Sequence, residues 1–429
     1  MSSIQASRGT RDILPDEVSY WQRVEAIARE ILVRGAYQEI RTPIFEQTAL
    51  FERGMGEATD VVNKEMYTFK DRGDRSLTIR PEGTAGVARS YIEHNLHVQG
   101  GVQRLWYLGA MFRYERPQAG RQRQFHQLGV EVLGSEDVRA DAEAIALATE
   151  ILQMLGLKDL RLDLNSIGDA SDRQTYREAL ITYLTPFKEK LDADSQDRLI
   201  RNPLRILDSK DPNTQTILND APSILDYLSD DSRRRFDRVQ QLLSDLGIAC
   251  NINSRLVRGL DYYTHTVFEI QSDDLGAQAT VCAGGRYDGL VSELGGPETP
   301  AIGWAMGLER LILLLQQIQP TSLSEVDFYV VSRGEKAESQ ALIVAQSLRR
   351  SGFTVELDLS GSAFGKQFKR ADRSGAAACL ILGDSEADTK TVQLKWLKSG
   401  EQTAIAQSDL LATIAELYAK ISQVRDQSE

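Results

Sequence analysis

Residues 104–115, RLWYLGAMFRYE, and residues 124–134, QFHQLGVEVLG, decide how this chain is read. Both runs are rich in aromatic and β-branched side chains. The stretch between them, RPQAGRQR, is polar and carries Pro117 and Gly120. The combination predicts a β-hairpin with a long basic loop. Side chains alternate faces along a strand, so Arg113 and Glu115 share one face. Gln127, Gly129 and Glu131 share one face of the partner, and Leu128, Val130 and Val132 line the other. With the loop centred near Gly120, Arg113 faces Gln127 and Glu115 faces Phe125. One sheet face then carries an arginine, two carboxylates and an amide beside a phenylalanine. Pattern alone fits an ordinary antiparallel sheet with a polar outer face as well.

Outward from the hairpin, residues 16–34 predict an amphipathic helix, with Trp21, Val24, Ala28 and Ile31 at helical spacing and Gly35 at the stop. Ala36 to Phe45 and Leu77 to Arg80 read as short strands, the second running into the turn Pro81-Glu82-Gly83-Thr84. Helical character returns over 135–156. From about 170 to 250, charged and Leu-rich stretches such as Asp172–Leu184 and Ser232–Leu246 predict a helical insertion. Strand character resumes at Ala249–Ile270, followed by a glycine-rich turn at Ala283–Gly289 and a strand, turn and helix over Ala301–Leu315. Gln316–Glu325 reads as a linker. Beyond it, Phe328–Val331, Thr354–Leu359 and Ala377–Leu382 alternate with helical patterns, which predicts a largely parallel sheet. The expected fold is therefore an α+β domain over 1–325, its mainly antiparallel sheet flanked by helices and interrupted by the 170–250 insertion. A C-terminal α/β domain follows over 327–429.

The 429 residues carry 41% hydrophobic and 26% charged side chains, enough for well-packed cores. The N-terminal segment lacks the apolar run of a secretory signal, and no run of about 18 apolar residues exists to span a membrane. Cys250, Cys282 and Cys379 are sparse and odd in number, which reads as buried reduced thiols in a cytoplasmic protein. His94 and His97 stand three apart on an expected helix, but no third ligand lies near, so no metal site is assigned. The net charge of −12 argues at first sight against a nucleic-acid partner, although the distribution of charge matters more than its sum. No GxGxxG follows a strand and no GxSxG occurs. Gly361-Ser-Ala-Phe-Gly365-Lys366 is one residue short of a phosphate loop.

Two further arginines stand in telling contexts. Arg258 and Asp261 lie beside Tyr262 and Tyr263 in LVRGLDYYTHTVFEI, and a buried arginine is rare unless it meets an anion. Arg310 closes Gly303-Trp-Ala-Met-Gly307-Leu-Glu-Arg310, where a surface ion pair one helical turn away is an equal reading.

Taken together these segments resemble the signature motifs of class II aminoacyl-tRNA synthetases, and more narrowly the histidyl-tRNA synthetase family. Arg8–Pro15 resembles that family's opening segment and Gly35–Glu46 its first motif. Phe112–Glu115 through Arg121–Phe125 resembles the second motif and Gly303–Arg310 the third. Leu256–Glu269 and Ala283–Leu290 resemble its two histidine-specific signatures. The resemblance implies activation of L-histidine by ATP to histidyl-adenylate, then transfer to the 3′ end of tRNA(His). It implies ATP as substrate, with Mg2+ accompanying it, and a homodimer formed through the first motif.

By the same resemblance, Arg113 grips the α-phosphate, Phe125 and Arg310 sandwich adenine, Arg310 and Arg121 reach towards the γ-phosphate, and Glu115 belongs to the ATP site. Arg258 sits between the histidine carboxylate and the α-phosphate. Glu82, Thr84 and Gln127 hold the α-amino group, Glu131 and Tyr263 bond the imidazole, and Tyr262 lines the pocket. Gly284 and Gly285 let the backbone approach the ligand, unless they form a plain hairpin turn. In the last domain Lys366, Lys369, Arg370 and Arg373 share a helical face, which suits either a tRNA backbone or solvent. Two alternatives are a non-catalytic, synthetase-like regulatory subunit of ATP phosphoribosyltransferase and a class II synthetase of other specificity.

Overall fold

The computed structural model describes residues 4–426 apart from 57–58, 119, 273, 275–279 and 319–325. Pro15–Arg34 is a helix whose start and stop are written in its sequence: proline in the first turn with Asp16 and Glu17, and Gly35 at the C-cap. Its apolar stripe, Trp21, Val24, Ala28, Ile31 and Leu32, is buried. Each large apolar side chain so buried contributes roughly 1.5–3 kcal/mol.

That stripe packs in a core with Leu128, Val130 and Val132, the apolar face of the hairpin formed by Gln103–Phe112 and Gln124–Leu133. The hairpin belongs to an eight-stranded sheet. In spatial order its strands are Gln38–Glu39, Gln103–Phe112, Gln124–Leu133, Ala301–Gly307, Thr280–Arg286, Thr264–Ser272, Leu160–Ser166 and Asn251–Ile252. The interior pairings are antiparallel, and only the two-residue edge strands pair in parallel. Helices Arg139–Met154 and Leu308–Ile318 cover the same apolar face as Pro15–Arg34. The opposite face is left for chemistry. A small sheet of Phe45–Gln47, Tyr67–Lys70 and Ser76–Ile79 lies beside it in sequence.

Several expectations need correcting. The hairpin register is set by Phe112 opposite Gln124 and Met111 opposite Phe125, and the Arg113 amide donates to the Arg123 carbonyl at 2.9 Å. Arg113 therefore does not face Gln127, whose partner is Gly109, and Glu115 does not face Phe125. The polar loop is centred at Gln118, because the ladder runs further before it breaks. Ala36–Phe45 holds only the short strand Gln38–Glu39 and the start of Phe45–Gln47. Ala249–Ile270 is two strands separated by irregular residues 253–263.

Gly284 and Gly285 are not a turn. They occupy the strand Thr280–Arg286, paired on both sides. A β-carbon on Gly284 would strike the Gly303 carbonyl and Trp304, and one on Gly285 the Thr266 carbonyl, so these glycines admit neighbouring strands rather than a ligand. Ala301–Gly307 passes into the helix Leu308–Ile318 without a turn, and that helix takes the first part of the expected linker. The rest of the expected linker, from 319, lies outside the described residues.

Between the strands Leu160–Ser166 and Asn251–Ile252 the described elements are all helical, from Ala170–Leu184 to Asp230–Asp245. The chain divides into two compact units, Met1–Thr321 and Ser322–Glu429. The second has a five-stranded sheet ordered Val355–Leu357, Phe328–Arg333, Ala378–Gly383, Thr391–Trp396, Gln402–Ala406. The three strands expected from sequence are parallel, but the last two are antiparallel additions. The first of these, Thr391–Trp396, buries alternate residues, Val392, Leu394 and Trp396, and the second, Gln402–Ala406, is largely exposed, so neither shows a continuous apolar run in the sequence.

Candidate active site

A cavity of about 580 Å³ opens on the polar face of the large sheet. Eleven residues predicted from sequence line it: Glu82, Thr84, Arg113, Glu115, Arg121, Phe125, Gln127, Arg258, Tyr262, Tyr263 and Arg310. Glu131 is the exception. It lies beneath the floor, 1% exposed, on the central strand Gln124–Leu133.

One side of the cavity is built from the hairpin loop and the start of the helix Leu308–Ile318. The Arg113 guanidinium lies over the Phe125 ring, 5.4 Å from its centre, and Nε donates to the Pro81 carbonyl at 2.9 Å. Arg121 Nε meets Glu115 Oε2 at 2.8 Å. Arg310 Nη1 donates to the Thr280 carbonyl at 2.8 Å. Burial, reinforced by Arg121, lowers the Arg310 pKa from its usual value. These cations are concentrated on one wall, which is where a polyphosphate is most favourably met.

The other side is a closed polar network. The Glu82 carboxylate accepts the amides of Thr84 and Ala85 at 2.7 Å each, at the N-terminus of the helix Thr84–Glu93. Thr84 Oγ1 donates to Glu131 Oε1 at 2.7 Å, and the Tyr287 hydroxyl donates to Glu131 Oε2. Burial pushes the Glu131 carboxyl up to about 8, although both hydroxyl bonds oppose the shift. Gly303 makes this placement possible, because a β-carbon there would overlap the Glu131 carboxyl on the neighbouring strand. Tyr262 and Tyr263 stack at an angle, with ring centres 4.6 Å apart, and Tyr262 meets the Tyr287 ring edge-on at 5.6 Å.

Arg258 stands where the two sides meet. It pairs with Glu269, and its guanidinium lies 5.9 Å from the centre of the Tyr263 ring. Burial alone would pull its pKa down; Glu269 and Tyr263 more than offset this and hold it above the usual value. Three buried polar atoms on cavity-lining side chains have no hydrogen-bond partner among the described residues: Glu115 Oε2, which is met by Arg121 as an ion pair, and two without such a neighbour, Gln127 Oε1, an acceptor, and Arg258 Nε, a donor.

Sequence reading missed several members. Tyr287 was inside a recognised signature but given no task. Glu269, Asp208 and Lys210 line the cavity, and Tyr107 is buried near Glu82 and Glu131, whose charges add to the burial that raises its hydroxyl pKa. Tyr287 and Glu269 carried a signal, their places in AGGRYDGL and at the end of Leu256–Glu269; Asp208, Lys210 and Tyr107 arrive through long-range packing. Cys282 lines the cavity and is buried, but Cys250 is half-exposed, unlike the expectation for all three thiols. Among the described residues no group of three His, Cys, Asp or Glu is arranged to hold a metal ion, and no helix is long and apolar enough to cross a membrane.

Comparison with known proteins agrees with this geometry. A family model described as histidyl-tRNA synthetase matches residues 9–311, and one described as an anticodon binding domain matches 327–417. A histidine–tRNA ligase of Gloeothece citriformis is 71% identical over 425 residues, spanning 99% of this chain and 99% of its own. One of Synechococcus elongatus is 73% identical over 411 residues, spanning 96% and 94%. The crystal structure of apo S. aureus histidyl-tRNA synthetase superposes with a TM-score of 0.80 at 39% identity, covering 96% of this chain and 100% of that one. With the motifs, the cavity and the full length all in agreement, the chain belongs to the histidyl-tRNA synthetase family.

Proposed function

We propose that the chain is a histidine–tRNA ligase that joins L-histidine to ATP as histidyl-adenylate, releases pyrophosphate, and passes the histidyl group to the 3′ end of tRNA(His). The observation that carries the reading is the pair of unsatisfied groups in the cavity. Gln127 Oε1 is an acceptor suited to an ammonium, and Arg258 Nε is a donor suited to a carboxylate. An amino-acid zwitterion satisfies both at once, and leaving either buried and unmade costs about 1–3 kcal/mol.

In this reading the histidine carboxylate attacks the α-phosphate. The nucleophile is already an anion, so no protein base is needed, and positioning with charge stabilisation supplies the catalysis. Arg113 and Arg258 hold the α-phosphate, while Arg310 and Arg121 meet the far phosphates. Phe125 and Arg310 stack on adenine. Glu115 holds Arg121 in place. Magnesium arrives with ATP, carried chiefly by phosphate oxygens, in keeping with its reluctance to shed water. Glu82, Thr84 and Gln127 receive the α-amino group, Glu131 and Tyr263 the imidazole, and Tyr262 completes the wall. A pocket whose polar groups are already committed rejects side chains that leave them unpaired.

The unit from residue 327 reads the tRNA anticodon. The working form is a cytoplasmic homodimer; Ile44 and Phe45, in the first-motif segment, are exposed apolar side chains that a partner subunit would cover. A silent regulatory subunit has no need of the complete arginine set, the histidine signatures and the anticodon-type domain that this chain carries. ATP–pyrophosphate exchange with each amino acid in turn tests the reading. Exchange with histidine alone is expected; exchange with none, or with another amino acid in its place, overturns it.

A further inference from the structure

The helical insertion also reaches the cavity. Asp208 and Lys210 line the cavity directly. More of its polar contacts go to the irregular stretch that carries Arg258. Arg205 Nη1 donates to the Gly259 carbonyl at 2.8 Å, and Asn202 Nδ2 donates to Asp261 Oδ1 at 2.7 Å. Arg173 Nη1 donates to the Tyr263 carbonyl at 2.9 Å. Arg255, at the start of the stretch, returns the grip by donating to the Leu218 carbonyl at 3.0 Å.

Residues 257–263 belong to no helix or strand, so their backbone lacks the repeating bonds that fix the rest of the site. The insertion supplies substitutes after Arg258, at the Gly259 and Tyr263 carbonyls, and anchors the Arg255 side chain before it. Arg205 also faces Asp60 at 3.6 Å, and Arg198 faces the same carboxylate at 3.5 Å. The clamp is therefore itself braced against a second segment of the catalytic unit.

We infer that Asn202 and Arg205 are positioning residues for Arg258: they hold the 257–263 backbone so that the guanidinium stands at the junction of the two halves of the cavity. The inference rests on the reading of Arg258 as the charge at the α-phosphate. It makes the insertion part of the adenylation machinery, although neither residue touches the reacting atoms. Displacement of a catalytic group by about 1 Å costs on the order of 10²-fold in rate.

The test is single-turnover adenylate formation by the full chain carrying Arg205→Ala, Asn202→Ala, Arg258→Ala, and each of the first two combined with the third. Arg205→Ala is expected to slow adenylation about 10- to 100-fold. KM for ATP should stay within about twofold, and Arg205→Lys, which restores a donor to Gly259, should recover most of the rate. In the Arg258→Ala background neither substitution should cost anything further, since the group they position is gone. A purely structural tether gives additive losses instead, and that result, or a near-normal rate in Arg205→Ala and Asn202→Ala, overturns the inference. Asn202→Ala removes one bond and little volume, so it remains informative if Arg205→Ala folds poorly. A near-normal Arg258→Ala rate sinks the reading of Arg258 and the inference with it.

Discussion

On the hairpin side of the cavity the cations are half-exposed and held by a carboxylate or by backbone carbonyls, Arg121 by Glu115, Arg113 by Pro81 and Arg310 by Thr280; on the far side the carboxylates are buried and held by hydroxyls and amides, Glu131 by Thr84 and Tyr287. The first arrangement is replaceable. A phosphate can take the place of Glu115, because the guanidinium is already solvated and its ion pair is worth little. The second is committed. Every partner of Glu131 is buried with it, so the pocket cannot relax around the wrong ligand without stranding a polar group. Arg258, paired with Glu269, lies on the border and shares both characters.

The sharpest way to break this comparison is at the border. Arg258→Ala should lower adenylate formation about 10²- to 10³-fold, the usual loss when one preorganised charge at a transition state is removed. Histidine binding should remain measurable by calorimetry, since the committed side is untouched. Near-normal exchange would remove Arg258 from the chemistry.

The next largest effect should come from the committed side. Gly303→Ala pushes a β-carbon into the Glu131 carboxyl. It should cost about 1–3 kcal/mol of stability, as overpacking does, and raise KM for histidine while leaving KM for ATP near normal. A matching rise in both constants would mean the two halves are not independent.

A smaller effect sharpens the comparison through pH. Glu131 is held at about 8 when folded, against 4.5 for an ordinary glutamate. Between those values the folded chain keeps a proton that the unfolded chain has released, so this group's contribution to stability falls as pH rises from about 4.5 to about 8. Urea midpoints across that range should show a downward slope that Glu131→Gln flattens. An unchanged slope in the variant would assign the titration elsewhere.

How legible this was in the sequence follows the same division. The hairpin face was read correctly despite a wrong register, because the true pairing is displaced by an even number of residues. Each side chain kept its face, and Leu128, Val130 and Val132 went to the core as expected. Arg113 and Phe125 are legible from the local strand pattern, and Arg121 from the short family motif that lies between them. The committed side depends on neighbours remote in sequence. Glu131 owes its place to the absence of a side chain at Gly303, and Glu269 lines the cavity because its strand is third from the hairpin. No periodicity carries that information.

The basic face of the last unit was legible only in part. Lys366, Lys369 and Arg373 are exposed, as the helical spacing implied. Arg370 is instead tied to Asp358, with Nε to Oδ2 at 2.8 Å, and to Ser362 Oγ at 2.6 Å, because the strand end and loop before the helix supply acceptors that spacing alone does not reveal. The smallest expected effect lies here. Each of Lys366→Ala, Lys369→Ala and Arg373→Ala should lower the salt-dependence slope of tRNA binding by about 0.7–1 with little change in adenylation. Arg370→Ala should act on the stability of this unit instead. Equal slopes in all four variants would mean that this face meets only solvent.

The pairing of Gln124–Leu133 with Ala301–Gly307 has a consequence for how the chain is made. The second strand leaves the ribosome about 170 residues after the first. At roughly 5–20 residues per second that is a delay on the order of ten to thirty seconds. Throughout it the hairpin can fold on the helix Pro15–Arg34, but its inner edge, with Leu128, Val130 and Val132 beside it, has no partner. The strand that later forms the floor of the catalytic cavity is thus, during synthesis, the segment most open to capture by another nascent chain. A cell that overproduces this protein should find its aggregates seeded there.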